Sequence, residues 1–397
     1  MNRDLFLRAR TSGLEAVKDS SRVRGYQECS RCVMDTTDPQ ITFNTVGHCC
    51  HCAEFLDKRA KHNYHGKESD EALDRILENV RSAGRGKKYD CVLGMSGGAD
   101  SSYLGYIIKD RGLRPLAVHM DNGWNSEKAV VNIKNITRKL GIDYESYVLD
   151  WEEFKNLQLS FLKASVPEAE TPTDVAIPAA LHSVAVKHGI KYILSGGNLA
   201  TEGILPKSWH YDVKDLKYFN HIHSRFGSRS LKRFPTFGYK REIFYKVVKG
   251  MQMIYPLNLV PFVKDKAIQL LREKFDWRPY GGKHHESTYT KFIQSYYLYE
   301  KFKIDYRRAA LSNQICIGEI DRDRAVEQLR SLPYKPEEID EAKHYIAKKL
   351  GVDKDEFERI MRLPAKWYWD YPNDQRMLGI IYDTYRRLYK KEKLDRF

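Results

Sequence analysis

Ten residues, Leu93-Gly94-Met95-Ser96-Gly97-Gly98-Ala99-Asp100-Ser101-Ser102, set the strongest limit on what this chain can fold into. Just upstream, Tyr89-Asp90-Cys91-Val92-Leu93 is short, apolar and without helical spacing, which predicts a buried strand. Downstream, Tyr103, Leu104, Tyr106, Ile107 and Ile108 fall on one side of a helix that stops near Gly112. A strand, a Ser-Gly-Gly turn and a helix in that order make an anion site. Glycines let backbone approach a phosphate, and N–H groups of the first helical turn point at it with the dipole behind them. The Gly-Lys-Ser/Thr run of the familiar phosphate loop does not occur in the chain. Asp100 and Ser101 open the helix, where they can cap it, position pyrophosphate or help hold Mg²⁺.

The pattern then repeats. A strand is expected from Arg114 to Met120, a helix over 128–140, a strand over 144–149 and a helix over 152–164. A further helix, 176–188, leads to the strand Tyr192-Ile193-Leu194. Alternating strands and helices predict an α/β fold with a parallel sheet and helices on both faces. Ligands of such sheets sit beyond the carboxyl ends of the strands. Those ends carry Ser96-Gly97-Gly98, Asp121-Asn122-Gly123 and Ser195-Gly196-Gly197-Asn198, so Ser96, Gly97, Gly98, Asp121, Gly197 and Asn198 are candidate ATP contacts beside Asp100 and Ser101. Thr173 and Asp174, in a Pro-punctuated loop before the fourth helix, and Glu202 after the fourth strand are candidates for substrate or metal, or simple caps.

Five of the seven cysteines cluster ahead of this domain. Cys29-x-x-Cys32 and Cys49-x-x-Cys52 each form a knuckle presenting two thiolates, and two knuckles complete a tetrahedral zinc site with no position open to substrate. Such a zinc ion is structural and supplies folding energy to a small module. An iron–sulfur cluster or free thiols are the alternatives, and Cys50, His48 or His51 could stand in as a fourth ligand. The usage implies a reducing compartment, and no signal peptide or run of eighteen apolar residues contradicts a cytoplasmic protein without a membrane span. A net charge of +14 favours anionic partners, with nucleotides, sugar nucleotides and RNA all qualifying.

Beyond Glu202 the chain is basic and aromatic. Residues 207–245 read as a substrate loop or a surface insertion. Gly281-Gly282-Lys283-His284-His285-Glu286-Ser287 combines glycines, cationic or polar donors and a carboxylate in a loop able to fold over phosphates, which makes Lys283, His284 and His285 candidate catalytic groups. An aromatic helix over 289–301 follows. Arg307 and Arg322 are among further cations available to substrate, and the tail from Pro336 is helical.

The Ser96 to Ser101 stretch resembles the SGGxDS motif of the PP-loop ATP pyrophosphatases, which cleave ATP between its α and β phosphates. Taken with Cys29-Ser30-Arg31-Cys32-Val33-Met34-Asp35-Thr36, His119-Met120-Asp121-Asn122-Gly123-Trp124-Asn125, Lys283 to Ser287, Lys301 to Arg308 and the run from Gly318 to Ala325, it resembles the N-acetyl sugar amidotransferases of bacterial surface-polysaccharide biosynthesis. The resemblance covers residues 26–330. It implies a PP-loop (HUP-like) domain at 67–205, a zinc ribbon at 26–66, a substrate or lid region at 206–330 and a helical region at 331–397, after an extension at 1–25. The implied reaction converts the acetamido group of an N-acetylated sugar or sugar nucleotide to acetamidino, using ATP and Mg²⁺. No glutaminase triad is evident, so the resemblance implies ammonia from a separate glutaminase of the type that pairs with a barrel-shaped partner in histidine synthesis. The chief rival is a tRNA-thiolating PP-loop enzyme. It would need sulfur-handling cysteines near the phosphate site, and only Cys91 and Cys316 lie outside the first cluster, so nucleic acid is not the expected partner.

Overall fold

A computed structural model describes residues 25–62, 67–280, 282 and 285–388. The amphipathic helix expected before Tyr26 lies outside the described residues, as do Lys283 and His284. Five parallel strands form one sheet in the order β3-β2-β1-β4-β5, with β1 Cys91–Gly94, β2 Pro115–Asp121, β3 Asp143–Val148, β4 Tyr192–Leu194 and β5 Gln252–Ile254. β1 is central: Leu93 pairs with Ala117 on one side and Leu194 on the other. The chain leaves β1 in one direction for β2 and β3, then returns past it to β4 and β5. That reversal opens a crevice between the carboxyl ends of β1 and β4. β5, only three residues long, carries too little pattern to be seen in sequence.

Both faces of the sheet are covered, which is why β1 and β2 are continuous apolar runs. On one face Leu104 and Ile108 of helix Ala99–Asp110 meet Leu93, Ala117 and Leu194, together with Leu271 of helix Lys264–Phe275. On the other, Leu181, Val184 and Ala185 of helix Thr171–Lys187 meet Val92, Val118 and Ile193. Full burial of each such Leu or Ile stabilises by about 1.5–3 kcal/mol. Helix Thr171–Lys187 begins five residues earlier than the sequence suggests. Pro172, in its first turn, has its φ preset for a helix, so the residues that looked like a Pro-punctuated loop are helical and Asp174 lies in the first turn.

A third, larger core joins the cysteine module, helix Trp151–Ala164 and the C-terminal helices. These include a continuous helical run, Thr288–Phe292, a π turn Ile293–Tyr297 and Leu298–Phe302, followed by Arg307–Ile317, Pro336–Leu350 and Lys354–Arg362. One contact ties this region to the sheet. Lys349 donates to the carbonyl of Gly123 at the end of β2, with its ammonium 4.4 Å from the ring centre of Trp124 and 5.2 Å from that of Trp151. Among the described residues no helix is long and apolar enough to cross a membrane.

Candidate active site and metal centre

The turn after β1 is built to stay open at its tip. Gly97 adopts φ +82°, and a Cβ there would come within 2.6 Å of the Ala129 carbonyl, so only glycine fits. Its own carbonyl accepts from Trp277 Nε1 at 3.0 Å and Asn132 Nδ2 at 3.4 Å. Ser96 Oγ accepts from the Gly98 amide at 3.1 Å and lies 3.2 Å from Ser101 Oγ. Gly98 is the N-cap of helix Ala99–Asp110 and has no side chain with which to cap it; the Tyr280 hydroxyl accepts from the Ala99 amide there. Asp100 and Ser101 follow in the first turn, where free N–H groups and the helix dipole favour an anion. Opposite, Gly196 passes so close that a Cβ would lie 2.7 Å from the Ser101 amide nitrogen. Asn198, which caps the short helix Leu199–Glu202, reaches Asp100 Oδ2 with its Nδ2 at 3.4 Å, and Thr201 Oγ1 donates to the same oxygen at 3.3 Å.

At the end of β2, Asp121 Oδ1 accepts from the Gly123 amide at 2.9 Å and from Asn125 Nδ2 at 3.0 Å. Asn125 Nδ2 also lies 2.9 Å from His119 Nε2, while His119 Nδ1 meets the Met95 carbonyl at 2.9 Å. Nδ1 therefore carries the proton and Nε2 accepts. Burial lowers the affinity of His119 for a second proton, which keeps this brace neutral.

A second layer comes from the distant half of the chain. Residues 285–288 run antiparallel to 124–126, with Ser126 N donating to Glu286 O at 2.7 Å and Thr288 N to Trp124 O at 2.9 Å. This seam brings Glu286 and Tyr280 over the phosphate turn. A Cβ on Gly98 would lie 3.0 Å from the Tyr280 hydroxyl and 3.4 Å from Glu286 Oε1. Glu286 in turn helps raise the pKa of Glu170, whose Oε1 accepts from Thr290 Oγ1 at 2.5 Å. One helical turn on, Asp174 has its pKa raised by burial, and its Oδ2 lies 3.7 Å from His210 Nδ1. Glu202 acts electrostatically on His210 and stands next to Thr201, which closes the circuit back to Asp100. Tyr306, its own pKa pushed up by burial, senses Glu170, Asp174 and Glu202 together.

These groups form a ring in which close contacts join Gly98 to Glu286, Asp174 to His210 and Thr201 to Asp100, while electrostatic influence links Glu286 to Glu170 and Glu202 to His210. So many carboxyl groups beside a phosphate turn would repel a triphosphate. They suit one carried with a divalent cation, and Asp100 and Glu286, beside the turn, are the carboxylates that would hold Mg²⁺. Of the groups expected from sequence, Ser96, Gly97, Gly98, Asp100, Ser101, Asn198, Asp174 and Glu202 gather here; Gly197 belongs to the β4 turn and Asp121 to the adjacent β2 turn. His285 does not point at phosphate in this structure. Its Nδ1 accepts from the Gly282 amide at 3.0 Å, and burial lowers its pKa to about 4.

Arg307 and Arg322, expected to bind substrate, are used elsewhere. Arg307 closes on Asp305 at 2.6 Å and on the Ser331 carbonyl. Arg322 donates to the carbonyls of Cys29 and Cys32 at 3.3 and 3.1 Å and pairs with Glu28. Arg308 joins it on Glu28 and Asp35. Arg308 and Arg322 dock the cysteine module, whereas Arg307 fastens the loop at Asp305 to Ser331. Glu170 and Tyr280 carry no signal in the sequence, while His210, Glu286 and Tyr306 lie in stretches the sequence marks but are not among its candidate site residues. The segment 207–245 divides: its start delivers His210 to the ring, whereas Lys232, Arg233 and Phe234 give their amides to the buried carboxylate of Glu153.

The four cysteines Cys29, Cys32, Cys49 and Cys52 are buried, with all Sγ atoms within 4.8 Å of one another. Cys29 and Cys52 sulfurs are 3.9 Å apart and those of Cys32 and Cys49 3.6 Å. A tetrahedral Zn–S bond of ~2.3 Å separates its sulfurs by ~3.8 Å, so the spacing fits zinc. Amides of Cys32, Cys49 and Cys52 point at these sulfurs at 3.2–3.4 Å, as thiolate ligands require. His51 is not a ligand: its Nε2 pairs with Asp38 Oδ2 at 2.6 Å.

Comparison with known proteins agrees with this geometry. Residues 70–165 match the family model described as NAD synthase, and residues 286–389 match the one described as LPS biosynthesis protein WbpG-like, C-terminal domain. An uncharacterized protein of Methanocaldococcus jannaschii is 23% identical over 56% of this chain and 73% of its own length. A tRNA-specific 2-thiouridylase of Fusobacterium nucleatum is 26% identical over 46% of this chain and 57% of its own. Among solved structures, the NMN synthetase of Francisella tularensis aligns over 56% of this chain and 96% of that one, at 13% identity and a TM-score of 0.28. The two matches, one to each of two separate segments of the chain, support a WbpG-like PP-loop family.

Proposed function

We propose that this protein is an ATP-dependent amidotransferase that turns an acetamido group of an N-acetylated sugar or sugar nucleotide into acetamidino, in lipopolysaccharide or related glycan synthesis. The observation that supports the reading is that the WbpG-like segment meets the PP-loop domain at its Gly-rich turn, with Glu286 over Gly98 and Thr290 bonded to Glu170. An amide is a poor electrophile because its nitrogen lone pair feeds the carbonyl. In the proposed first step the amide oxygen attacks the α-phosphorus of ATP. The bond to the β-phosphate oxygen breaks, and pyrophosphate departs toward the amides of Gly97 to Ser101. In the second, ammonia adds to the imidate carbon, the C–O bond breaks with its electron pair going to AMP, and one proton leaves the nitrogen. What the chain supplies is alignment and electrostatics: a fixed phosphate turn, carboxylates that hold Mg²⁺ and sugar hydroxyls, and an enclosed crevice. The ammonia source is proposed to be a separate glutaminase with a barrel-type partner.

The tRNA-thiolating alternative finds less support. Cys91 is fully buried within β1 and Cys316 is buried beside the cysteine module, so neither offers a thiol to the crevice. The test is pyrophosphate release from ATP with UDP-N-acetyl sugars and ammonium chloride, against bulk tRNA. Release that depends on the sugar and yields AMP supports the proposal. Release that depends on RNA alone overturns it.

A further inference from the structure

Resting on that reading, we infer that His210, held by Asp174, is the group that takes the proton from the incoming nitrogen in the second step. Neither its position nor its chemistry was evident in sequence, where it is one of thirteen histidines. In the fold it is the imidazole of the ring. Its Nδ1 faces Asp174 Oδ2 at 3.7 Å, an ion-pair separation longer than a hydrogen bond, and Nε2 lies on the opposite edge of the ring. The pair lies on the carboxyl rim of the sheet, where Asp174 is in the first turn of helix Thr171–Lys187 and Asn122, at the end of β2, reaches Thr173 at 3.5 Å.

The mounting of His210 argues against an incidental surface histidine. Its neighbours Trp209 and Tyr211 are 2% and 3% exposed, and Tyr211 stacks on Tyr368 at 4.1 Å. Ser208 is fully buried and donates to Asp38 at 2.6 Å. Three buried residues thus fix the backbone on either side, while the His210 side chain itself keeps 40% of its surface open. A rigid support under an accessible imidazole is what proton transfer at a fixed point needs. Enclosure by protein lowers its proton affinity, and Asp212 and Glu202 oppose that shift, so it stands neutral and ready to accept near neutral pH.

The step balances. Ammonia's lone pair forms the new C–N bond to the imidate carbon, and one N–H bond breaks with its proton passing to His210 Nε2. AMP leaves with the C–O electrons, and Asp212 and Glu202 favour the imidazolium that results. Adenylation needs no such base, because the amide oxygen attacks with a lone pair and pyrophosphate leaves as an anion. His210 is therefore required for one half of the reaction only.

The experiment separates the halves in the full-length chain. UDP-N-acetylglucosamine, -galactosamine and -mannosamine are the amide probes; ATP–pyrophosphate exchange reads adenylation, and amidine formation with added ammonium chloride reads the second step. His210→Ala is expected to keep exchange within 3-fold while amidine formation falls ~10²-fold or more, the size of a lost general base. Added imidazole should restore part of the loss in His210→Ala. Asp174→Asn, which spares the imidazole, should lower amidine formation less. Parallel loss of exchange and amination, or unchanged amination, overturns the assignment. If the wild-type chain shows no exchange with any probe, the amidotransferase reading itself falls and takes this inference with it.

Discussion

Glu168 sits at the foot of the active-site helix with its carboxyl among tyrosines, 3% exposed, and neither oxygen hydrogen-bonded. Burial raises its pKa from 4.5 to about 8. An acid whose folded pKa is raised is protonated in the native chain while the unfolded chain has already ionised, so it subtracts stability as pH climbs from 4.5 toward 8 and by a constant amount above that. At ~1.36 kcal/mol per pKa unit, the penalty works out at about 1 kcal/mol at pH 5, about 3 at pH 7 and about 5 at pH 9. Glu168→Gln removes the ionisation while keeping shape. The amide has its own cost of about 1–3 kcal/mol for polar atoms left unbonded, and this cost does not vary with pH. The expected signature is thus a difference: relative to wild type, the variant gains about 4 kcal/mol between pH 5 and pH 9. Urea unfolding followed by circular dichroism at those two pH values, with linear extrapolation, measures it. A variant whose stability offset is the same at both pH values would refute the reasoning, since it would mean that the carboxyl ionises normally in the folded chain.

Two further outcomes follow from the packing. Gly196→Ala should cut pyrophosphate release at least ~10²-fold with little change in far-UV circular dichroism, because a Cβ 2.7 Å from the Ser101 amide must push the β4 turn off the phosphate helix; near-wild-type turnover would show that the two turns need not touch. Arg322→Ala should leave the KM of every substrate near its wild-type value while zinc is lost faster to a chelator, since the guanidinium holds the carbonyls of Cys29 and Cys32; a raised sugar KM with unchanged zinc release would restore it to the substrate site.

What sequence could show was decided by range. The turn Ser96 to Gly98, the helix behind it and the two cysteine knuckles are local devices, in which residues three or four apart determine one another, and they were legible. The parallel sheet was legible too, because strands buried on both faces must be continuous apolar runs. The ring was not. Glu170 and His210 look ordinary until helix Thr171–Lys187 and the turn after Pro206 set them on one rim. Glu286 was quoted within a motif, but its place over Gly98 depends on a seam with residues 124–126 some 160 positions earlier. Arginines misled for the same reason. A cation in sequence announces that it needs an anion or a carbonyl, and Arg322 finds both in a module 290 residues away.

The seam between residues 124–126 and 285–288 has a consequence for how the molecule comes into being. A ribosome delivers the five strands by residue 254, and the sheet can form then. Glu286, Thr290 and Tyr306 emerge only afterwards, and Lys349, which fastens the β2 turn, later still. A nascent chain therefore carries the turn after β1 before the residues that lie over it have been made.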